Sequence, residues 1–294
     1  MNQAEAARGS AKEASLQAAR RRCETQLMGR DVHAAYATIV ATVQDAVGVY
    51  GKHGLAIVPY YLLMADVGLE LGHLKQVEEV LALSIWSLVR SAEESSAHEG
   101  ETHPGTLLQR AAVCKLYGRF HAEADNYDEA LKQAANGAYY ASLVHGPEHI
   151  LTSTLYFTLG CIFQRMFKTE QALGMFDKLV EIWYKYLANR LPLAEGKDRD
   201  DDNDDDALAH RRLLHDGNTM LLHILDTRSK VLGSGHIATG EVEYTMGLLK
   251  VHMGLPSEAK GFLDQALSIY TDALGSLHPS TIDVQSVIDT IRGA

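Results

Sequence analysis

The sequence predicts an all-α fold, a solenoid of about five to six antiparallel helix pairs in which each pair packs on the next. Segments with apolar residues three and four positions apart follow one another through most of the 294 residues, and this periodicity is typical of helices with one buried face. Short polar or glycine-containing corners separate the two segments of each pair. Because a single pair leaves an apolar side uncovered, the pairs are expected to stack on their neighbours.

The pair between Leu155 and Tyr186 shows the pattern most clearly, in the stretch LYFTLGCIFQRMFKTEQALGMFDKLVEIWYKY. Gly160 lies on one face of the first helix, and Ala172 and Phe176 lie on one face of the second. Small residues at positions 160 and 172 let two antiparallel helices approach closely, and larger residues fill the space around them. This spacing resembles the tetratricopeptide-repeat (TPR) pattern.

The remaining helices are predicted from the same periodicity. The predicted helical segments are 11–28, 32–50, 57–71, 74–91, 107–124, 128–143, 207–232, 238–253, 257–274 and the capping helix 280–292. Leu16 and Cys23 recur on one side of the first segment, and Pro59 suits the first turn of the third. Residues 1–10 are expected to form a disordered N-terminus, and residues 11–294 a single superhelical domain.

Three predicted segments carry further signals. Gly118 and Ala130 occupy the two close-approach positions of the unit 107–143, and Gly247 and Ala259 occupy them in the unit 238–274. The segment 207–232 is expected to be one long helix or a broken helix pair with a degenerate first half.

A glycine followed by a histidine two or three residues later recurs where one pair ends and the next begins. The five occurrences are Gly51-Lys-His53, Gly100-Glu-Thr-His103, Gly146-Pro-Glu-His149, Gly233-Ser-Gly-His236 and Gly275-Ser-Leu-His278. Glycine ends a helix by adopting the left-handed conformation at little cost. The resulting period of 42 residues or more exceeds that of the usual TPR and resembles the long repeats of kinesin light chains.

Composition and charge exclude several function classes. The three cysteines are widely separated, so neither a disulfide framework nor a thiolate zinc site is expected. No apolar run is long enough to cross a bilayer. Of the net charge of −11, residues 195–206 carry −6 and the other 282 residues only −5, which argues against general nucleic-acid binding. The acidic segment lacks the Gly and Glu of an EF-hand, so a self-repelling loop is expected there, with contact to a basic partner surface as the alternative.

No motif predicts an enzyme, a metal site or a cofactor. His145-Gly-Pro-Glu148-His149 spells the H-x-x-E-H of inverted zinc proteases, but that chemistry needs both histidines on one continuous helix. Gly146 and Pro147 interrupt such a helix, so the stretch is expected to be the turn between two repeats.

The first helices of the pairs are expected to line a concave groove that binds a helix or an extended segment of another protein. The candidate protein-binding residues are Leu62, Asp66, Leu69, Lys115, Arg119, Phe157, Cys161, Gln164, Tyr244, Leu248 and Val251. Packing against neighbouring repeats is the alternative role for each of them. A clamp for a terminal carboxylate needs clustered Lys and Asn, and only Lys115 and Arg119 approach that.

Three stretches, 57–86, 138–163 and 178–189, resemble a family of axonemal TPR proteins. Animal members carry an N-terminal MYND zinc finger, and an algal counterpart is the smaller accessory subunit of the single-headed inner-arm dynein d. The resemblance covers roughly residues 30–235. It implies that the partners are a dynein heavy chain, a second TPR-containing subunit and doublet-microtubule proteins, in the axoneme of a cilium or flagellum. The finger needs seven Cys and a His in a compact block, and only Cys23 precedes residue 100, so no finger and no zinc are expected in this sequence.

Two functions follow as hypotheses. The first is a non-enzymatic scaffold that docks inner-arm dynein d on doublet microtubules. The second is a soluble adaptor of the kinesin-light-chain or chaperone type, which binds peptide segments transiently in its groove. A structural subunit is expected to stay on washed axonemes and to leave together with dynein at high salt, whereas an adaptor is expected in the soluble cell body.

Overall fold

The structure is a computed structural model that describes residues 3–96, 103–190 and 204–293, and within those ranges it contains twelve α-helices, one short 3-10 helix and no strand. The helices are α1 Gln3–Met28, α2 Val32–Tyr50, α3 Val58–Glu70, α4 Leu74–Ser96, α5 Pro104–Glu123, α6 Tyr127–His145, α7 Ile150–Arg165, α8 Thr169–Ala188, α9 Asp204–Val231, α10 Ile237–His252, α11 Pro256–Leu274 and α12 Pro279–Gly293. The predicted all-α fold of successive helix pairs is confirmed.

The chain divides into two compact units, Met1–Ala172 and Leu173–Ala294. The first unit holds α1 to α7, and the second holds α8 from Leu173 onward together with α9 to α12. None of the helices in the described ranges is both long enough and apolar enough to span a bilayer. The expectation of one continuous domain stays a prediction.

In the first unit, one apolar core runs from α1 to α5. Leu16 and Cys23 of α1 are buried in it as predicted, with Ile39 of α2, Tyr61 of α3 and Phe120 of α5. The thiol of Cys23 donates to the backbone carbonyl of residue 35 at 3.3 Å, which ties α1 to α2.

Helices α5 to α7 continue the first unit through close backbone approaches. A methyl group on Gly118 of α5 would lie 3.2 Å from both the Ala130 carbonyl oxygen and the Ala134 Cβ. A methyl group on Gly137 of α6 would lie 2.6 Å from a methyl of Leu155 on α7. The close approach predicted between Gly118 and Ala130 is therefore confirmed, because any larger residue at position 118 would push α5 and α6 apart.

In the second unit, two glycines bring their helices together in the same way. A methyl on Gly247 of α10 would lie 2.6 Å from the Leu263 side chain and 3.5 Å from the Ala259 carbonyl oxygen, so that predicted approach is also present. On α9, a methyl on Gly217 would lie only 2.1 Å from the indole ring of Trp183, which is fully buried on α8. Helix α9 therefore packs directly on α8, through a contact that the repeat pattern did not predict.

The recurring glycine–histidine motif ends one helix and begins the next. Gly146, Gly233 and Gly275 have φ values of 89°, 100° and 91°, in the left-handed region, and each stops the preceding helix. Three residues later, a histidine Nδ1 accepts a hydrogen bond from a backbone N–H in the first turn of the next helix, at 3.1 Å for His236 and 3.2 Å for His278. The histidine is thus the N-cap of that helix.

A threonine completes each of these three turns. The hydroxyls of Thr152, Thr239 and Thr281 donate to the carbonyl oxygens of Gly146, Gly233 and Gly275, and each distance is 2.9 Å. The motif is therefore Gly-x-x-His-x-x-Thr, and its threonine was not recognised from the sequence.

Several helix boundaries differ from the prediction, since α4 continues to Ser96 beyond position 91 and α5 begins at Pro104 before position 107. Helix α1 begins at Gln3 instead of Ala11. Helix α9 is one continuous helix of 28 residues, which agrees with the first of the two alternatives predicted for 207–232. Residues 195–203 of the expected acidic loop lie outside the described residues. Its last three residues, 204–206, form the first turn of α9 instead of a loop.

Candidate protein-binding surfaces

The predicted groove residues of the first unit lie on α3, α5 and α7, and an ion-pair cluster joins two of those helices. The Arg119 guanidinium on α5 donates to a carboxylate oxygen of Asp66 and, at 2.7 Å, to Glu70, both on α3. Burial lowers the pKa of Arg119, but the two carboxylates outweigh that effect and raise it above its ordinary value. Since its charge is already compensated, Arg119 is not available as a clamp for a terminal carboxylate.

The other predicted residues of the first unit differ in accessibility. Leu69 is buried, with only 8% of its surface exposed, whereas Leu62 is half-buried and packs against the core. Lys115, Phe157, Cys161 and Gln164 are half-buried. Burial raises the pKa of the Cys161 thiol to about 12, so this cysteine stays protonated and is not a reactive nucleophile.

In the second unit, two of the three predicted groove residues belong to the core. Leu248 is fully buried and Tyr244 is 5% exposed, because α10 packs on α9 and α11 and turns these side chains inward. Leu248 therefore has no surface to offer a partner, which corrects its predicted role. Val251 is half-buried.

The H-x-x-E-H stretch forms a turn between repeats. Helix α6 ends at His145 and α7 begins after His149, so no continuous helix carries both histidines. Their rings stack at a centroid distance of 4.5 Å with an interplanar angle of 17°. In the described ranges, no group of three or more His, Cys, Asp or Glu side chains is placed to hold a metal ion.

Outward-facing apolar side chains mark two helices of the first unit. On α4, Ile85, Trp86 and Val89 are 42%, 51% and 48% exposed, and on α6, Tyr139 and Leu143 are 60% and 55% exposed. Each set lies on neighbouring turns of its helix, as a contact surface for another protein does. Both sets lie on the second helices of their pairs, outside the groove that the sequence predicts.

The second unit contains a cavity of about 290 Å³ between α8, α10, α11 and α12. We call it the acidic tyrosine pocket. Its wall consists of Asp177, Val180, Glu181, Tyr184, Glu241, Tyr244, Thr245, Tyr270, Ser280 and Asp283. Of these ten residues, only Tyr244 belongs to the protein-binding set predicted from the sequence. The four α8 residues are spaced by three and four positions, which places them on one helix face. This spacing was the one feature of the sequence that could have indicated a shared surface on α8.

A buried arginine holds the helices around this pocket. The side chain of Arg228 on α9 is 1% exposed, and its guanidinium donates to Asp177 on α8 and to the carbonyl oxygen of Ala238 on α10. Glu241 lies 3.6 Å from the same guanidinium, and the Nε atom of Arg228 has no hydrogen-bond partner. One side chain thus connects three helices and fixes two carboxylates of the pocket.

Comparison with protein families supports the repeat type over part of the chain. The model of the tetratricopeptide-repeat family matches residues 109–185, which extend from α5 into α8. Among solved structures, BtubC (BKLC) from P. vanneervenii is 16% identical, and the match covers 86% of this chain and 94% of that chain with a TM-score of 0.39. Residues 109–185 therefore form repeats of the TPR type, and such repeats serve protein–protein interaction as scaffolds or adaptors.

Proposed function

We propose that this chain is a non-enzymatic docking subunit of the single-headed inner-arm dynein d. It tethers or stabilises the dynein on the doublet microtubules of motile cilia and flagella through contacts of its TPR helices. Its partners are the dynein heavy chain, a second TPR-containing accessory subunit and proteins associated with the doublet microtubule. It resides in the axoneme.

The observation that carries this proposal is the resemblance of residues 57–86, 138–163 and 178–189 to the axonemal TPR family. Segment 57–86 forms α3 and most of α4, and segment 138–163 runs from α6 into α7. The resemblance thus extends through helix pairs and the turns that join them, as expected when whole repeats are related. The exposed apolar residues of α4 and α6 supply surface for a permanent partner, since obligate interfaces are rich in apolar contacts.

Salt extraction of isolated axonemes tests the proposal. We expect the chain to remain on axonemes washed at low salt and to leave with one inner-arm dynein heavy chain at high salt. A pulldown from cilia at moderate salt, with the purified chain as bait, is expected to recover that heavy chain and a second TPR protein by mass spectrometry. The docking proposal fails if the chain is found in the soluble cell body and the bait retains varied soluble proteins without dynein, which is the behaviour of an adaptor.

A variant bait tests whether the exposed face of α6 takes part. Replacing Tyr139 and Leu143 by Ser removes two exposed apolar side chains from one helix face without opening the core. We expect the double variant to retain much less dynein than the wild type. The matched control is Leu277→Ser, because Leu277 is 86% exposed in a turn of the second unit and isolated exposed apolar residues are ordinary. Equal retention by both variants would exclude the α6 face as a dynein contact.

A further inference from the structure

The acidic tyrosine pocket is lined mainly by one face of α8 and one face of α10. Asp177, Glu181 and Tyr184 of α8 and Glu241 and Tyr244 of α10 are spaced by three, four or seven positions. Four carboxylates are exposed at the rim: the side chains of Asp177, Glu181 and Glu241 are 62%, 47% and 53% exposed, and Asp283 is exposed as well.

Tyrosine rings form the interior of the pocket. Tyr244 and Tyr270 are each only 5% exposed, and the ring of Tyr184 lies 5.6 Å from that of Tyr244. The hydroxyl of Tyr244 donates to Asp283 at 2.6 Å, and that of Tyr184 donates to the same carboxylate oxygen at 3.4 Å. The pocket therefore combines an aromatic interior with an acidic rim.

The negative charge of the rim is only partly compensated. Arg228 pairs with Asp177 and lies 3.6 Å from Glu241, and Glu181 accepts from Lys178 and Lys185. Asp283 has no ion pair with any basic group in the described ranges, and its carboxylate accepts hydrogen bonds from the two tyrosine hydroxyls. Burial is the largest cause of the raised pKa of both Tyr184 and Tyr244, and the charge of Asp283 and its hydrogen bonds to the two hydroxyls raise it further. A cation entering the pocket would balance this charge.

We propose that the acidic tyrosine pocket binds the cationic side chain of a lysine or arginine in a partner polypeptide. Aromatic faces attract cations through their quadrupole, and Tyr is one of the residues that does so. The carboxylate of Asp283 supplies a charge-assisted hydrogen bond. The volume of about 290 Å³ lies below the range of roughly 300–1,000 Å³ that holds drug-sized ligands, and it suits the end of one extended side chain.

This inference rests on the general role of the chain as a protein-binding scaffold, and it does not depend on dynein being the partner. The second unit selects a partner segment by a cationic side chain. A basic side chain anchored here would fix the register of a bound segment, because the charged rim rejects acidic residues at the same place. The partner segment therefore carries a Lys or Arg flanked by residues that lack negative charge.

The test uses the full-length chain labelled with 3-fluorotyrosine and observed by ¹⁹F NMR. The resonances of Tyr184, Tyr244 and Tyr270 are assigned from single Tyr→Phe variants. The probes are two blocked pentapeptides, acetyl-GGKGG-amide and acetyl-GGRGG-amide, with counterparts in which norleucine replaces Lys and citrulline replaces Arg. We expect the three resonances to move with the cationic peptides only, and the shifts to diminish as salt is raised.

Asp283→Asn is the decisive variant, because the amide oxygen still accepts from a tyrosine while the charge is removed. We expect its Kd for the cationic peptides to rise about tenfold, as for loss of a hydrogen bond to a charged group. Asp264→Asn, on the exposed face of α11 and outside the pocket, is the matched control and is expected to bind as the wild type does. If Asp283→Asn fails to fold, as judged by its urea midpoint, Glu241→Gln takes its place.

Three results would overturn the inference: equal shifts with the neutral peptides, unchanged binding by the pocket variant, or binding of spermidine without binding of either cationic peptide. The last would assign the pocket to free polyamines. Each of these is independent of the axoneme extraction. Failure of the peptide titration leaves the docking function standing, and failure of the extraction leaves the pocket assignment standing.

Discussion

The contact between Gly217 and Trp183 yields a substitution whose sign can be worked out from the structure. A methyl on Gly217 would lie 2.1, 2.5 and 2.7 Å from the Cη2, Cζ3 and Cζ2 atoms of the indole, and real Cβ atoms do not approach that closely. Since Trp183 is fully buried, its ring has no solvent-filled space to move into. Forcing an extra methyl into such a site costs about 1–3 kcal/mol.

This cost opposes a gain in helix propensity. Alanine is favoured over glycine inside a helix by about 1 kcal/mol, so we expect Gly217→Ala to lower the free energy of unfolding by up to about 2 kcal/mol. Gly261→Ala on α11 is the matched control, because a methyl there meets nothing within 4 Å. We expect this variant to gain about 0.5–1 kcal/mol. The two substitutions are chemically identical and should have opposite effects on stability.

Urea denaturation of both variants, followed by circular dichroism, measures the difference. A third variant identifies the cause. The three clashing atoms form the outer edge of the two fused indole rings. The single ring of phenylalanine does not extend that far, so Trp183→Phe should make Gly217→Ala less costly. We expect the double-mutant cycle to give a favourable coupling of about 1–3 kcal/mol. If Gly217→Ala proves as stable as Gly261→Ala, or if the coupling is zero, the proposed packing of α9 on α8 is wrong.

Three further predictions concern the second unit. Burial raises the pKa of Glu243 to about 7 from its ordinary 4.5, so the free energy of unfolding of the wild type should fall as pH rises from 4.5 to 7. Glu243→Gln should therefore stabilise the chain by on the order of 1–3 kcal/mol at pH 8 but little at pH 4.5. Urea titrations at both pH values measure the difference. His278→Ala removes the acceptor of the Ser280 N–H and should cost about 0.5–2 kcal/mol, whereas a cost below 0.3 kcal/mol in the same assay would contradict the capping role. Arg228→Lys keeps the charge but loses the planar guanidinium that reaches both Asp177 and the carbonyl oxygen of Ala238. The thermal unfolding midpoint of this variant should fall by several degrees. An unchanged midpoint would refute the role of Arg228 in joining the three helices.

Local patterns were sufficient to predict most of the helices. Helix α2 spans Val32–Tyr50 as predicted, and α11 ends at Leu274 as predicted. The close approaches at Gly118 and Gly247 were also predictable, because within a helix hairpin the partners of these glycines lie only a few turns away along the chain.

The predicted groove was less reliable. Helical periodicity indicates that a face is apolar, but it does not say whether another helix covers that face. Leu248 and Tyr244 lie on α10, which has neighbours on both sides, and they are buried. The exposed faces of α4 and α6 were missed for the converse reason, since apolar residues there resembled core positions.

The sequence alone was enough to establish the all-α class, the order of the helices and the turns between repeats, because each depends on residues that are neighbours along one chain segment. The Gly-x-x-His part of the turn is an example, because its two residues lie three positions apart, whereas the role of the threonine became visible only in the structure. The acidic tyrosine pocket depended on the tertiary structure. Asp177 and Asp283 lie more than a hundred positions apart, and only the packing of α8, α10 and α12 places their carboxylates around the same cavity.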